Sequence, residues 1–311
     1  MNIIRARRTP PDLRGRVALV VGARGGIGAA VTAALAAAGA EVIAADLPAV
    51  PPAPAAPAPG SGRITQVAAR AGDAAGAAAL VDRVAAAHGR IDLLVHAAGR
   101  VSLEPFAERD PGDVADELHL NLHSPLHLIS AALPALRAGR LAGAHPTRRG
   151  PRRRRPPRAQ VVVLCSLGGV MPMPGQAIYA ASKFGLRGAL LSLAMELRAE
   201  GVAVTSVLPG AVDTPMLAAE AAGGGNALQF LGDPATPADV AGRILGAVGA
   251  AIAGRPVAEV YPGRVEGLAA RVAMLHPPVL PAALTLLEPL GRRGMARYRR
   301  RLRARPAPPA G

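Results

Sequence analysis

Tryptophan is absent from this chain, and tyrosine and phenylalanine number three each. With half of the residues hydrophobic, a core must therefore be built from alanine, valine and leucine. One cysteine, Cys165, excludes an internal disulfide and fits a reducing compartment. No apolar run of the length needed to span a bilayer is free of charges or prolines, so no spanning helix is expected. Arg5, Arg7 and Arg8 precede Pro10 without an apolar stretch, and no export signal is read there. A cytoplasmic setting is the expectation. Lysine is almost missing as well: of 36 Lys and Arg side chains, the single lysine is Lys183.

What is there is unevenly placed. Arg148 to Arg158 holds seven arginines and no acid, and Arg292 to Arg305 holds eight and no acid. Together they equal the whole +15 excess, so the rest of the chain is formally neutral. A nucleic-acid enzyme carries its positive charge across a folded face. Here both clusters are flanked by proline, and they read as a solvated insertion and a solvated tail. Nucleic acid is not the expected partner.

At 311 residues the chain is long enough for one large domain or two small ones. Short apolar runs alternate with alanine-rich helical patterns. Strands are expected at Val17 to Val21, Glu41 to Asp46, Ile64 to Ala68, Ile91 to His96, Val161 to Leu164, Val202 to Leu208 and Ala258 to Tyr261. Long helical patterns cover Asp113 to Arg137, Ala177 to Glu200 and Pro237 to Ala253, and Asp73 is a good cap for another. This alternation predicts an α/β fold, a Rossmann-type doubly wound parallel sheet. The expected organisation is an extension at 1–14, a domain at 15–255 interrupted by an Arg/Pro-rich insertion at 138–159, and a C-terminal extension at 256–311. The insertion is expected to be dispensable, because it buries too little apolar surface to offset its ordering entropy.

The first strand runs directly into Gly22, Gly26 and Gly28 and then into a helix. Glycines let a backbone approach a pyrophosphate, and a helix N-terminus supplies N–H groups and a positive dipole to it. Asp46 ends the second strand, where a carboxylate can bind a ribose diol and repel a 2′-phosphate. Arg24 in the glycine loop is the opposing signal. The lone lysine, Lys183, stands four residues after Tyr179, on the same face of a helix. Arg and Lys are not interchangeable beside a phenol, since the compact ammonium can sit close to it and bind sugar hydroxyls. The pair suggests a tyrosine whose pKa is lowered so that it exchanges a proton.

With Ser166 thirteen residues before Tyr179, Asn121 in a helical pattern, and Pro209-Gly210-Ala211-Val212-Asp213-Thr214 after the sixth strand, the chain resembles the short-chain dehydrogenase/reductase family over roughly residues 15 to 255. The resemblance implies an NAD(P)-dependent oxidoreductase that interconverts a carbonyl and a secondary alcohol. It implies Tyr179 as acid/base, Lys183 on the ribose and beside the phenol, Ser166 on the substrate oxygen, and Asn121 holding a water next to Lys183. It implies cofactor contacts from Gly22, Arg24, Gly26, Ile27, Gly28, Asp46, Ala98, Gly99, Tyr179, Lys183, Pro209, Gly210, Val212 and Thr214, and no metal. It implies a homo-oligomer, dimer or tetramer. NAD is favoured over NADP because Asp46 outweighs Arg24. Four positions depart from the pattern. Val21 replaces a frequent threonine. His96-Ala97 replaces the usual Asn-Asn, with His96 read as structural. Arg70 stands where an aspartate is common. The alternative reading is a non-catalytic dinucleotide sensor or scaffold on the same fold.

Met171, Met173, Met216, Leu217, Leu228 and Phe230 are expected around the substrate, which points to a hydrophobic ketone or alcohol. Leu268 to Leu290 is apolar, broken by prolines and followed by arginines. Such a stretch can rest on an anionic bilayer as a peripheral contact, cap the substrate pocket, or pack on a second subunit.

Overall fold

A computed structural model describes residues 10–48, 61–102, 104–142 and 156–304. Seven parallel strands form one sheet: β1 (Val17–Val21), β2 (Glu41–Asp46), β3 (Ile64–Ala68), β4 (Leu93–His96), β5 (Ala159–Leu164), β6 (Val202–Val207) and β7 (Glu259–Val260). Their order across the sheet is β3-β2-β1-β4-β5-β6-β7. Each strand buried on both sides reads as an unbroken apolar run rather than an alternating one, as parallel sheets require. VALVV in β1 splits residue by residue between two cores. Val17, Leu19 and Val21 face one side, and Ala18 and Val20 face the other.

Helices α1 (Gly26–Ala37) and α7 (Pro237–Ile252) cover the second of these faces, with Val31, Leu35, Ile244 and Val248 packed on Val20, Leu93 and Val162. On the other face lie α2 (Ala74–His88), α4 (Ser124–Arg137) and α5 (Ala177–Glu196), whose Leu80, Leu128 and Leu186 meet Leu19, Leu94 and Val161. Asp73 caps α2 by accepting the Gly76 N–H at 2.7 Å, as its position predicts. Strand order reverses between β1 and β4, so the crevice beyond their C-terminal ends is where a ligand binds in such sheets.

The long helix expected from Asp113 to Arg137 is three pieces. They are α3 (Pro111–Leu118), a π-helical turn at His119–His123, and α4. Three segments complete the chain: α6 (Pro215–Ala222), α8 (Arg264–Ala273) and α9 (Leu280–Arg303).

Three boundaries differ from expectation. The strand expected at 258–261 is β7 and pairs with β6, so the sheet reaches past the expected domain limit of 255. Both ends of the 138–159 insertion are fixed parts of the fold: Leu141 is fully buried and its N–H donates to Arg158 O at 2.6 Å, while Arg158 N donates to Gly201 O at 2.7 Å. The middle of the insertion, 143–155, lies outside the described residues, as do 1–9 and 305–311. The arginines of 292–303 form the second half of helix α9 rather than an irregular tail, and all but Arg299 are exposed. Gly291 and Gly294 explain the docking. A Cβ at either would strike the backbone of Ala227 or Phe230, so the helix lies against the short 3₁₀ segment Ala227–Phe230 through a glycine notch.

Candidate active site

Gly22 is the first residue past β1 and has φ +77°, a conformation glycine adopts without strain. Any Cβ there would lie 2.5 Å from Ala98 N, so glycine is also what lets the loop press against the turn after β4. Gly28 faces the Gly22 carbonyl with no room for a methyl, and a Cβ at Gly26 would meet Thr214 Cγ2 at 2.7 Å. These contacts bring the glycine loop, the Ala98-Gly99 turn and the segment after β6 to one end of the sheet. Helix α1 begins here with no side-chain cap and no acid in its first turn. Its amides are open to an anion, and this fits a dinucleotide pyrophosphate.

Asp46 stands at the β2 end. Its carboxylate accepts the Arg24 N–H and the Leu47 N–H, each at 2.8 Å. The Arg24 guanidinium reaches Gln66 Oε1 at 3.1 Å and Leu47 O at 3.5 Å. Both signals read from the sequence for the 2′ position therefore occupy the same corner.

Asn121 sits inside the π turn, a local widening that recurs at functional sites. Its Oδ1 accepts the Arg100 N–H at 2.9 Å, and its Nδ2 donates to Arg100 O at 2.8 Å and to Ser182 Oγ at 3.2 Å. Asn121 thus ties the π turn to the loop after β4 and to α5. Lys183 is buried, with Nζ 3.3 Å from Leu164 O. An ammonium has three donors, and Leu164 O takes one, so the remaining capacity suits a ribose diol. A Cβ on Gly99 would lie 3.5 Å from Nζ and 3.1 Å from Asn121 Oδ1, so the glycine keeps this corner open.

Ser166 follows β5 by two residues and caps the next turn, its Oγ accepting the Gly168 N–H at 3.0 Å. The same hydroxyl acts on the Tyr179 phenol and favours its ionised form. Lys183 Nζ is 5.6 Å from the Tyr179 ring centre. The expected lowering of the phenol is not met by the protein groups themselves. Burial pushes the Tyr179 pKa up, against a lowering by the Ser166 hydrogen bond. The physical reason is desolvation, which also pushes the Lys183 ammonium down. The protein alone holds Tyr179 as a neutral phenol.

Sequence reading missed two groups here. Glu117 is fully buried and pairs at 2.8 Å with Arg109, whose side chain is largely covered. Its charge acts on both Tyr179 and Lys183, raising each. The available signal was its place four residues before Asn121 on one helix face. The second is Tyr298, whose hydroxyl donates to Asp213 Oδ1 at 2.7 Å, joining α9 to the segment after β6. Nothing in the local sequence announces a contact across 85 residues.

His96 is structural in its surroundings. Its Nε2 is 3.2 Å from Ser124 Oγ, and Ser124 Oγ donates to Ala71 O at 3.2 Å. With the hydroxyl donating there, its oxygen is free to accept from the ring. Burial, and then the Lys183 charge, lower its pKa to about 3.

A cleft of about 830 Å³ lies between the turn before α5, the 224–228 segment and α9; Asn121, Ser166, Tyr179 and Lys183 do not line it. Gln176, three residues before Tyr179, lines it together with Ser102, Leu228, Leu284 and Met295. Glu104, Glu288, Arg292 and Arg299 give it charged walls. Of the expected substrate-side residues, Leu217 and Phe230 are packed beneath α9 against Met295 and Tyr298, and Met216 is exposed. Met171 and Met173 pack with Leu228, Leu280 and Leu284. Among the described residues no His, Cys, Asp or Glu cluster could hold a metal ion.

A family model described as short chain dehydrogenase matches residues 16–223. The chain is similar to D-threitol dehydrogenase of Mycolicibacterium smegmatis, 35% identical over 207 residues that cover 66% of this chain and 73% of that protein. It is similar to 3-oxoacyl-(acyl-carrier-protein) reductase of Escherichia coli, 30% identical over 208 residues, 66% of this chain and 77% of that protein. Among solved structures, a dehydrogenase/reductase from Sinorhizobium meliloti is 26% identical with a TM-score of 0.64, covering 80% of this chain and 94% of its own. A metagenomic short-chain oxidoreductase in complex with NADP is 27% identical with a TM-score of 0.60, covering 81% and 99%.

Proposed function

The chain belongs to the short-chain dehydrogenase/reductase family of NAD(P)-dependent oxidoreductases, and from that membership we propose that it interconverts a hydrophobic ketone and its secondary alcohol with NAD, using Tyr179 as acid/base. The observation that carries this reading is buried Lys183 with its ammonium 5.6 Å from the Tyr179 ring centre, in a site where Ser166 acts on the same phenol. The bound dinucleotide supplies the hydride. Gly22, Gly26, Ile27 and Gly28 would cradle its phosphates at the α1 N-terminus, and Ala98, Gly99, Pro209, Gly210, Val212 and Thr214 would border the nicotinamide end. Lys183 would hold the ribose hydroxyls.

In reduction, the Tyr179 hydroxyl gives its proton to the carbonyl oxygen, and a neutral buried phenol is the correct starting form. Ser166 donates to the same oxygen and holds charge as it develops. In oxidation, Tyr179 takes the proton back, and the Lys183 charge stabilises the phenolate that this requires. Asn121 positions a water beside Lys183 through which that proton is exchanged.

The preference for NAD rests on Asp46. A 2′-phosphate at the β2 end would meet its carboxylate, whereas a ribose diol can donate to it. The hydrophobic substrate rests on the Leu228, Leu284 and Met295 walls of the cleft. The family membership supports a homo-oligomer, and we place the protein in the cytoplasm, where NAD is supplied. Fluorescence titration with NADH and NADPH tests the cofactor, with tighter NADH binding expected. Tighter NADPH binding would show that Arg24 overrides Asp46. Screening NADH oxidation against steroid, fatty and small polar ketones tests the substrate class. Turnover confined to polar ketones would refute the hydrophobic reading.

A further inference from the structure

Among the described residues, thirteen large hydrophobic side chains are exposed, and eight of them fall between Val265 and Leu290. They are not scattered. On α8, Val265, Leu268 and Val272 recur at helical spacing, and Leu275 continues the face past the helix end. On α9, Leu286 and Leu290 lie on the side opposite Leu284, Met295 and Tyr298, which face the fold. Val265, Leu275 and Leu286 are 77%, 80% and 80% exposed. Such a concentrated apolar surface marks a contact, not chance.

The same outward face of α9 continues, turn by turn, into Arg293, Arg297, Arg300 and Arg301, all exposed. From Arg292 to Arg303 the helix carries no acid. Leucines followed by arginines on one face match a bilayer interface. The leucines enter the acyl boundary, and the arginines meet anionic headgroups. A second copy of this chain fits poorly. A two-fold pairing would set arginine against arginine or arginine against leucine; the helix from Arg292 to Arg303 has no acid of its own, and Asp233 beside it is already paired with Arg301 at 3.1 Å. A spanning arrangement fits poorly too. Val265–Ala273 and Pro277–Arg303 together have the length and apolarity of a span, but they meet at 103°. Crossing the bilayer would bury the arginines in hydrocarbon.

We propose that the α8–α9 surface beds into the interface of an anionic membrane, with Leu275, Leu286 and Leu290 inserted and Arg293 and Arg297 on lipid phosphates. One side of α9 then walls the substrate cleft while the other lies on lipid. The surface reading stands independently of the substrate, because its test reads binding and not turnover.

The test is flotation of the full chain with vesicles of phosphatidylcholine alone, and of phosphatidylcholine with about 30% phosphatidylglycerol. Wild type is expected to float with the anionic vesicles and to be released by salt. Leu286→Glu/Leu290→Glu and Arg293→Gln/Arg297→Gln are each expected to weaken binding at least about tenfold. Their unfolding midpoints should stay at the wild-type value, since these side chains touch no core. Three results would overturn the proposal. Wild type could fail to float with anionic vesicles at low salt. Both double variants could bind as wild type does. Or wild type could form a concentration-dependent dimer that Leu286→Glu/Leu290→Glu dissociates, with no vesicle binding.

Discussion

Lys183 is buried with one backbone acceptor, in a corner kept open by Gly99. Arginine is used at 35 other basic positions, so the exception reflects the site and not the composition. Lys183→Arg is expected to lower kcat/KM by at least about a hundredfold although charge is kept, because the planar fork cannot occupy an ammonium's place. Near-normal kinetics would remove the argument from the solitary lysine. His96 makes a separate, thermodynamic prediction. Its folded pKa is about 3, while the unfolded side chain titrates near its ordinary value. Below that ordinary value the unfolded chain binds a proton that the folded chain refuses. Its contribution is therefore complete above about pH 6.5 and lost as pH falls toward 3, at up to about 1.4 kcal/mol per pH unit. Urea unfolding of His96→Asn should show a shallower fall of stability between about pH 6.5 and 5 than wild type. An identical slope would mean that His96 is not held neutral. At this scale the sequence was most legible for the groups that chemistry demands by type: glycines, a phenol, a lysine. It was least legible for pKa direction, because Tyr179 is governed by burial that only packing reveals.

Helices and strands were legible where a period or a cap was strong, as at β1, β2 and the Asp73 cap of α2. The break in the 111–137 pattern was not, since a π turn changes the hydrogen-bond span without changing composition. Nor was α9, where Pro289 and two glycines argue against a helix. The structure shows why they are tolerated: the glycines form the notch that seats the helix, and contacts along its inner face outweigh its poor local propensity. The Tyr298–Asp213 hydrogen bond is the link between this helix and the segment after β6. Tyr298→Phe should lower stability by roughly 1.5–3 kcal/mol, the range for a hydrogen bond to a charged group. It should also raise KM more than it lowers kcat, since α9 shapes the cleft and touches none of the reacting groups. A variant as stable as wild type with unchanged KM would show that α9 docks without Tyr298.

The whole molecule is one doubly wound sheet whose glycine loop, Ser166, Tyr179 and Lys183 meet near the C-terminal ends of the strands, and that much follows from spacing and strand order. The arrangement of the C-terminal third did not follow, because its partners are distant in sequence. Between Leu141 and Arg158 the chain returns to itself through a 2.6 Å backbone hydrogen bond, so a short turn can bridge these ends. Replacing 143–155 by a Gly/Ser turn is expected to change stability by less than about 1 kcal/mol and to leave NADH affinity in place. A large loss of melting temperature would assign the insertion a packing role. Extending the replacement to 138–159 should be far more damaging, because it removes buried Leu141 and buried Ala159, the first residue of β5. The most direct test of the account is Tyr179→Phe, measured for turnover of a substrate found by screening and, in parallel, for NADH binding by fluorescence. The account predicts that kcat falls by at least about a hundredfold while the NADH dissociation constant stays within about threefold of wild type. Retention of more than about a tenth of wild-type kcat would contradict it, because Tyr179 could not then be the group that moves the proton.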